Sequence, residues 1–406
     1  MNKKTVVILT SFSSTSLGIA RGLGREGCCV EIFYVARHKN SCEVVRASKY
    51  VSSCYEFIGS DSDAVKKLNE IYASRTDPIV LLPTCDRTMQ ILDNYRDKLN
   101  SNFLLPFIKN AGPGRIVSLM DKSVQERLAA DFGLPVPKSC IINLSGYDEK
   151  KLEKIHYPCF CKPLKSFEGG KSGMRKCSNP AELKQVLEEM KISRGKFPVF
   201  VQEFLDIKQE YAISGACIDD RVVMPAVLKK LDVAEYPHGV TMVGEIVSTD
   251  IIKDFLSSIE NMMKSLHYTG LFDIDIFECN GKKYFGEINF RSSGVGYSLI
   301  NTGANLPYVI VLALLGENWL EFPISAGIGK KYMYEDAAWR NYIEGYMTME
   351  QLETLRQKAD FMFICGDSDD PEPEKLFLRK KHWAKIRKML ARTWLGQLIK
   401  RIIRGK

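Results

Sequence analysis

Three separated segments carry side chains that suit the binding of a nucleotide and its phosphates. Lys162 lies in a short apolar run at residues 157–163, and a glycine-rich stretch follows at residues 168–173. An acidic segment, residues 285–291, lies far downstream. A cation, a loop rich in backbone N–H groups and clustered oxygen ligands are what phosphates and magnesium require. Together the segments predict an enzyme that uses ATP.

Lys162 and the loop behind it form the candidate phosphate site. Strand alternation places Lys162 on the same face as Phe160, near the end of a strand that Pro163 terminates because it has no N–H to donate. Glycines let the backbone approach a phosphate closely, and the candidate loop residues are Gly169, Gly170, Ser172 and Gly173. A solvent-exposed edge lysine followed by a plain hairpin is the alternative.

Residues 199–205 and Glu210 supply candidate contacts to the base and the sugar. The backbone near Glu203, between Gln202 and Leu205, can pair with the polar edge of a purine, and the Glu210 carboxylate can accept from ribose hydroxyls. An amphipathic strand with exposed polar side chains explains the same residues equally well.

The acidic residues predict a metal site on a hairpin. Two strand-like runs flank Asn280-Gly281, and alternation puts Asp273 and Asp275 on one face and Glu287 and Asn289 on one face. Carboxylate and amide oxygens suit magnesium. Solvent-facing acids are the alternative, although the positions between them are apolar.

The hairpin register provides a check on that metal site. A two-residue turn over Asn280-Gly281 would put Asp275 and Glu287 on opposite faces of the hairpin, because the side chains alternate. Joint metal binding therefore predicts a three- or five-residue loop with Gly281 in a bulge. A strict two-residue turn without any bulge would exclude the shared metal.

Two further side chains are candidates for contact with substrate or phosphate. Arg291 follows the acidic strand, and its guanidinium can hold a transferring phosphate or a substrate carboxylate. An ordinary salt bridge is the competing interpretation. His238 lies in a predicted turn and either contacts phosphate or is a surface residue.

Composition limits the class of protein. The 406 residues, with 45% hydrophobic and 26% charged, favour two or three soluble globular domains. The twelve cysteines show no ligand-pair spacing and indicate a reducing cytoplasm, and the longest apolar run, residues 306–315, is about half a membrane span. Residues 379–406 contain eleven Lys and Arg and no Asp or Glu, whereas the net charge of the whole chain is +8. The rest of the chain is therefore slightly negative, and no domain-wide nucleic-acid surface is expected.

The predicted secondary structure that positions these residues changes along the chain, from alternating strands and helices to mainly strands. Strand-like and helix-like segments alternate over the first hundred residues, which predicts a parallel sheet covered by helices. That part lacks a dinucleotide fingerprint and is interpreted as a scaffold that helps bind substrate. A helix capped by Asp121 and ended by Gly133 opens the second unit. Strands dominate residues 199–289, and an acidic, proline-bearing linker lies at residues 367–373.

In order along the chain, these motifs resemble the ATP-grasp superfamily. The resemblance rests on Asp121-Lys122, residues 160–163, the glycine loop, residues 202–204 with Glu210, Asp275, and residues 287–291. Residues 82–86, the Asp121-Lys122 helix and residues 360–371 are similar to bacterial carboxylate-amine ligases, including the D-aspartate ligase group. The resemblance implies an α/β fold: a parallel-sheet N-terminal domain, two ATP-grasp subdomains and a basic helical tail.

The resemblance also implies roles for individual residues. Lys122 and Lys162 would contact the phosphates, the glycine loop would act as a lid, and the cofactors would be ATP with two Mg²⁺ or Mn²⁺ ions. Arg291 and Lys162 would be the catalytic residues, with Arg291 stabilising an acyl phosphate that an amine then attacks. The metal ligands would be Asp275, Glu287 and Asn289, although Asp275 departs from the ligand type of many members.

The predicted boundaries divide the chain into five parts. They are a pre-ATP-grasp domain at 1–115, subdomain A at 116–196, subdomain B with the metal site at 197–330, an appendage and acidic linker at 331–374, and a basic tail at 375–406. Apolar residues recur at helical spacing in the tail from Trp383 to Ile402, as in helices that lie on anionic membranes. A helix docked on the protein or a disordered end are the alternatives.

These observations favour one function and leave others open. The leading hypothesis is a cytoplasmic ligase, peripheral on the inner face of the membrane, that joins an amino acid carboxylate to an amine, such as D-aspartate to a cell-wall precursor. A ligase for capsule, surface polysaccharide or small-metabolite synthesis is the alternative within enzymes. A non-catalytic, membrane-associated scaffold is the alternative outside them. Neither substrate has a signature in the chain.

Overall fold

The computed structural model describes residues 3–147, 149–164, 174–194, 198–362 and 367–392. Strands and helices are both abundant, and the strands form three sheets. The mixed α/β class expected from the sequence is therefore confirmed. Short 3₁₀ helices connect some elements, at Arg96–Lys98, Glu149–Lys154, Thr249–Ile252 and Trp319–Glu321.

The N-terminal sheet is parallel, with the order β3-β2-β1-β4-β5. Val6 and Ile8 of its central strand pack into one core while Val7 and Leu9 pack into another, since successive side chains point to opposite faces. Both faces of the sheet are therefore covered. Its elements are β1 (Thr5–Thr10), α1 (Ser13–Arg25), β2 (Cys29–Val35), α2 (Glu43–Arg46), β3 (Val51–Phe57), α3 (Asp61–Ile71), β4 (Ile79–Pro83), α4 (Asp86–Asn94) and β5 (Phe103–Leu104).

A small antiparallel sheet with the order β7-β10-β8-β9 follows. Asp121 caps the preceding helix by accepting from the Ser123 and Val124 amides, and Gly133 adopts a positive φ just beyond its end, as expected. The elements are β6 (Phe107–Ile108), α5 (Arg115–Leu119), α6 (Lys122–Asp131), β7 (Ser139–Asn143), β8 (Cys159–Pro163), β9 (Arg175–Cys177), α7 (Pro180–Arg194) and β10 (Pro198–Glu203).

The large sheet has the order β16-β15-β11-β13-β14-β17-β18, with β12 paired to β11 and β6 paired to β15. One of its faces carries the acidic residues. The elements are β11 (Gln209–Ile218), β12 (Arg221–Val223), β13 (Val227–Glu235), β14 (His238–Val247), α8 (Lys253–Ser265), β15 (Tyr268–Cys279), β16 (Lys282–Asn289), α9 (Tyr297–Ile300), α10 (Leu306–Leu314), β17 (Lys331–Met333), α11 (Glu335–Glu344), α12 (Met349–Lys358), β18 (Phe361–Met362) and α13 (Glu372–Arg392).

The segment interpreted as an acidic linker is packed against the N-terminal sheet. Asp370 is 1% exposed and accepts from Arg21 Nε at 2.8 Å, from Ser48 Oγ at 2.7 Å and from the Lys49 amide at 3.0 Å. Asp367 pairs with Arg25 at 2.6 Å. These carboxylates tie the start of α13 to α1 and to the loop before β3.

Candidate active site

The β15–β16 hairpin places four polar side chains on one face. Asp275 pairs with Glu287, and Asp273 pairs with Asn289. Residues that pair directly across an antiparallel ladder share a face, so the four side chains point to the same side. The clustering expected for a metal site is therefore present in the strand register.

The turn that produces this register differs from the predicted one. Cys279 pairs with Lys282, so Asn280-Gly281 is a two-residue turn, with φ of 52° and 72° as a type I′ turn requires. The predicted three- or five-residue loop with a bulge at Gly281 is wrong. The turn is the short one because Asn and Gly both tolerate positive φ.

The bulge lies instead at Gly286. Ile276 pairs with Phe285 while Asp275 pairs with Glu287, which leaves Gly286 as one extra residue on β16. A Cβ at this position would lie 2.9 Å from the backbone oxygen of Asp275 and 2.7 Å from the Phe277 ring. Only glycine fits there without displacement, and the insertion brings Glu287 to the face that carries Asp275.

Lys122 provides the charge partner of Glu287. It is the first residue of α6, and its Nζ lies 3.1 Å from Glu287 Oε2. Burial opposes ionisation of Glu287, but Lys122, supported by Lys162 and Arg291, outweighs it and lowers the pKa to about 2. Glu287 is therefore a fixed anion at neutral pH.

Lys162 lies on β8 and is held in place by Gln202 on the neighbouring strand. Its Nζ donates to Gln202 Oε1 at 2.8 Å, and the Gln202 amide nitrogen donates to Glu126. Cys159 and Cys161 are buried on the opposite face, as strand alternation predicts. Burial, with help from Lys122, lowers the pKa of Lys162 to about 8. The ammonium is thus poorly compensated and suited to receive a phosphate.

Arg291 forms the salt bridge that the sequence left as an alternative. Its Nε donates to Asp86 Oδ1 at 2.7 Å, and a terminal nitrogen donates to Asn289 Oδ1 at 3.0 Å. Asp86 lies at the start of α4, shortly after β4. The guanidinium therefore joins the N-terminal sheet to the acidic hairpin, within the candidate site.

Glu210, the candidate ribose ligand, is paired with Lys230. The two residues lie on adjacent strands, β11 and β13, and their charged groups are in contact. Burial would lower the pKa of Lys230, but Asp275 and Glu210 outweigh it and raise the pKa. Burial raises the pKa of Asp275 to about 7, with Lys230 offsetting only part of it.

The remaining predicted residues lie further from this cluster or outside the described residues. Glu203 accepts from the Lys138 amide at 2.9 Å, and Leu205 is half-buried in the segment after β10. The His238 side chain is 82% exposed and lies 3.8 Å from Glu235. The four glycine-loop residues Gly169, Gly170, Ser172 and Gly173 lie outside the described residues.

The donor set fits a magnesium ion that is bound together with phosphates. In the described residues, no group of three or more His, Cys, Asp or Glu is arranged to hold a metal by itself. Glu287 and Asn289 nevertheless present a carboxylate and an amide oxygen beside Lys122 and Arg291. Magnesium uses one or two carboxylates plus substrate phosphates more often than an all-protein cage.

Sequence reasoning missed three residues at this site. Asp86, Glu126 and Lys230 each pair with a residue that was identified, namely Arg291, Gln202 and Glu210. Asp86 stood in a segment singled out at residues 82–86. No signal marked Glu126 or Lys230, because their partners lie on other elements.

Comparison with known proteins identifies a family domain within the chain. Residues 127–304 match the family model of the ATP-grasp domain. N5-carboxyaminoimidazole ribonucleotide synthase of Synechococcus elongatus is 24% identical over 46% of this chain and 46% of its own. The C-terminal section of the carbamoyl phosphate synthase large chain of Aquifex aeolicus is 22% identical over 74% of this chain and 57% of its own. The chain thus spans about half the length of these curated relatives.

Solved structures share the fold at low sequence identity. L-amino acid ligase from Bacillus licheniformis superposes with a TM-score of 0.60 and 16% identity, covering 80% of this chain and 78% of that one. N5-carboxyaminoimidazole synthetase from Staphylococcus aureus complexed with ADP gives 0.62 and 17%, covering 81% and 82%. Residues 127–304 are therefore an ATP-grasp domain, and the chain shares the fold of these solved structures.

Proposed function

We propose that the protein is an ATP-dependent carboxylate-amine ligase that forms an amide bond through an acyl phosphate. One observation carries the proposal: Lys122 and Arg291 each contact one of the three metal-ligand candidates, Glu287 and Asn289 respectively. The positive charge of Lys162 also favours the ionised form of Glu287. A cluster of cations beside oxygen donors suits the transfer of a phosphoryl group, whose catalysis depends on charge stabilisation and positioning.

The residues have distinct roles in the proposed reaction. Lys122 and Lys162 hold the phosphates of ATP, and Asp275, Glu287 and Asn289 would hold magnesium, which neutralises charge on the phosphates when bound. A carboxylate oxygen of the donor attacks the γ-phosphorus, the bond to the β-phosphate oxygen breaks, and ADP leaves. Arg291 stabilises the resulting acyl phosphate.

The second half of the reaction forms the amide. The amine nitrogen attacks the acyl carbon, the bond between that carbon and the phosphate oxygen breaks, and inorganic phosphate leaves with its electron pair. The nitrogen gives up its proton to solvent. Atoms and charges balance, and the reaction consumes one ATP for each amide formed.

The donor acid in the finer proposal is D-aspartate, and the acceptor is a cell-wall precursor. This choice rests on the similarity of residues 82–86 and 360–371 to the D-aspartate ligase group. The chain shares its fold with L-amino acid ligase from Bacillus licheniformis, which supports an amino acid donor in general. Capsule, surface polysaccharide or small-metabolite synthesis is the second candidate for the same chemistry.

We also propose that α13 brings the protein to an anionic membrane surface from the cytoplasmic side. Lys381, Lys385 and Lys388 dock the helix on α11. Another side of the helix exposes a stripe of large apolar residues, namely Trp383, Ile386, Met389 and Leu390. Amphipathic helices with tryptophan bind anionic interfaces in this way. Within the described residues, no helix has the length and hydropathy of a membrane span.

An ADP-release screen tests the proposed function. The full chain is incubated with ATP, magnesium, D- and L-amino acids, and amine acceptors that include cell-wall precursors. A ligase releases ADP only when an acid is present and forms an amide when an amine is added. Binding of ATP without acid-dependent ADP release across the panel would favour the non-catalytic scaffold.

A further inference from the structure

Asp86 lies where the N-terminal sheet reverses its winding. In the order β3-β2-β1-β4-β5, the chain moves from β1 to β2 on one side and returns to β4 on the other. The carboxyl ends of β1 and β4 are joined by a hydrogen bond of 2.7 Å from Thr84 to Thr10. In open parallel sheets, ligands bind in the crevice outside the strand ends at such a point. Asp86 lies two residues after Thr84 at this crevice.

Asp86 and Arg291 close the crevice against the acidic hairpin. They form an ion pair at 2.7 Å, with side chains 16% and 20% exposed. Next to Asp86 is a cavity of about 10 Å³, which Lys122, Glu287 and Asn289 also help to line. This volume holds about one water molecule. A substrate carboxylate can take the place of Asp86 on Arg291 only if this ion pair separates.

Because separation leaves one positive and one negative group without a partner, the charges of the incoming molecule determine how well it binds. A simple carboxylate would compensate Arg291 but would leave the largely buried Asp86 without its cation. A molecule that carries both a carboxylate and an ammonium would compensate both groups at once. A polar group left unpaired in a water-poor site is strongly disfavoured, which is the basis of sharp discrimination between substrates.

We infer that Asp86 binds the ammonium group of an amino acid donor whose carboxylate lies on Arg291. The inference rests on the proposed ligase function and specifies its substrate class: acids that carry a free amine close to the reacting carboxylate. Without substrate, Asp86 and Arg291 thus bind each other. A zwitterionic amino acid replaces this ion pair, with its ammonium on Asp86 and its carboxylate on Arg291.

Two acids, Asp86 and Glu287, line this cavity and have different cations as partners. Glu287 is paired with Lys122 at 3.1 Å, whereas Asp86 is paired with Arg291, the residue proposed to hold the substrate carboxylate. Among the described residues that line this cavity, Asp86 is the carboxylate on the side of the N-terminal sheet.

The test compares pairs of acids in the ADP-release assay with the full chain. Each pair is an amino acid and its counterpart without the amine, such as alanine with propionate and aspartate with succinate. We expect the amino acid of the reactive pair to exceed its counterpart at least about 100-fold in kcat/KM. A counterpart used equally well would overturn the inference while leaving the ligase proposal intact. Absence of acid-dependent turnover would reject the ligase proposal itself.

Variants then assign the discrimination to Asp86. Asp86→Asn and Asp86→Ser should each reduce the preference for the amino acid at least about 10-fold, mainly through KM. Asp61→Asn is the matched control, because Asp61 pairs with Arg87 at 2.9 Å on the surface of the same sheet, and its preference should equal that of the wild type. ADP binding measured by calorimetry shows that each variant is folded. An unchanged preference in both Asp86 variants would overturn the inference.

Discussion

Asp275 and Glu287 face each other across the β15–β16 hairpin because Gly286 adds one residue to β16 between the paired positions. A hairpin with the same two-residue turn and no bulge would turn Glu287 to the other face. The candidate metal site therefore depends on a residue that has no side chain.

Substitution of Gly286 tests this dependence. Gly286→Ala places a Cβ 2.9 Å from the Asp275 backbone oxygen, so we expect a loss of about 1–3 kcal/mol in the free energy of unfolding. Displacement of Glu287 should also weaken MgADP binding. Denaturant unfolding and calorimetry measure the two effects.

Gly281→Asn is the control for that substitution. Gly281 has a φ of 72°, and a Cβ added to it would have no other atom within 4 Å. Because Asn tolerates this conformation, we expect the free energy of unfolding to change by less than about 1 kcal/mol and MgADP affinity to stay unaltered. Equal behaviour of the two variants would contradict the role given to the bulge.

The lowered pKa of Lys162 predicts a pH dependence of ATP binding. The pKa is about 8 in the free protein, and phosphate favours the charged ammonium, so binding raises it. Affinity should be constant below about pH 7 and fall above about pH 8 by up to about tenfold per pH unit. Calorimetric titration with ATP at a series of pH values on both sides of this pKa measures the profile.

Lys162→Arg provides the comparison, because a guanidinium stays charged over this range. The variant should show no decline above the pKa of Lys162, whatever its affinity at neutral pH. The same decline in both proteins would assign the titration to another group.

The buried contact between Arg21 and Asp370 predicts a large effect on stability. Both side chains are almost fully buried, at 0% and 2% exposure. Asp370→Asn weakens the compensation of the buried Arg21 charge and should cost about 3–5 kcal/mol in the free energy of unfolding. Asp369, whose side chain is 49% exposed, is the matched neighbour: Asp369→Asn should cost less than about 1 kcal/mol. Similar losses would mean that α13 is not anchored through Asp370.

The exposed stripe on α13 predicts membrane binding that depends on its apolar residues. Trp383→Ser combined with Leu390→Ser should lower co-sedimentation with anionic liposomes several-fold, since each removes apolar area from the interface. Leu320 and Ile328 are exposed elsewhere, and their double serine variant should bind as the wild type does.

A truncation before Arg379 gives the limiting case for that prediction. It should bind liposomes no better than the double variant of α13. Equal sedimentation of the truncated and full chains would reject membrane docking through this helix.

Residues were predictable where a local pattern determines them. Alternation identified the face shared by Asp275 and Asp273, and the Asp121 cap marked the start of α6. The order of motifs then predicted the ATP-grasp domain that is found at residues 127–304. These signals come from positions a few residues apart, for which backbone geometry alone decides which side chains are neighbours.

Partners from distant segments were not predictable. Asp86 meets Arg291 across 205 positions of the chain, and Glu126 meets Gln202 across 76. The bulge at Gly286 was missed because Asn280-Gly281 already fitted a turn and Gly286 fitted a strand interior. The five domain boundaries and the individual ligand roles stay predictions.

The most direct test of the ligase proposal measures ADP release by the wild type and by Glu287→Gln, with Glu278→Gln as control. Glu278 lies on the same hairpin and bonds to Tyr211 at 2.9 Å. The wild type and the control should release ADP only with magnesium and an acid. When an amine is also present, the amount of amide formed should equal the amount of ADP released. Glu287→Gln should lose at least about 100-fold in kcat/KM. Acid-independent release, or ATP binding without turnover on any acid, would contradict the account.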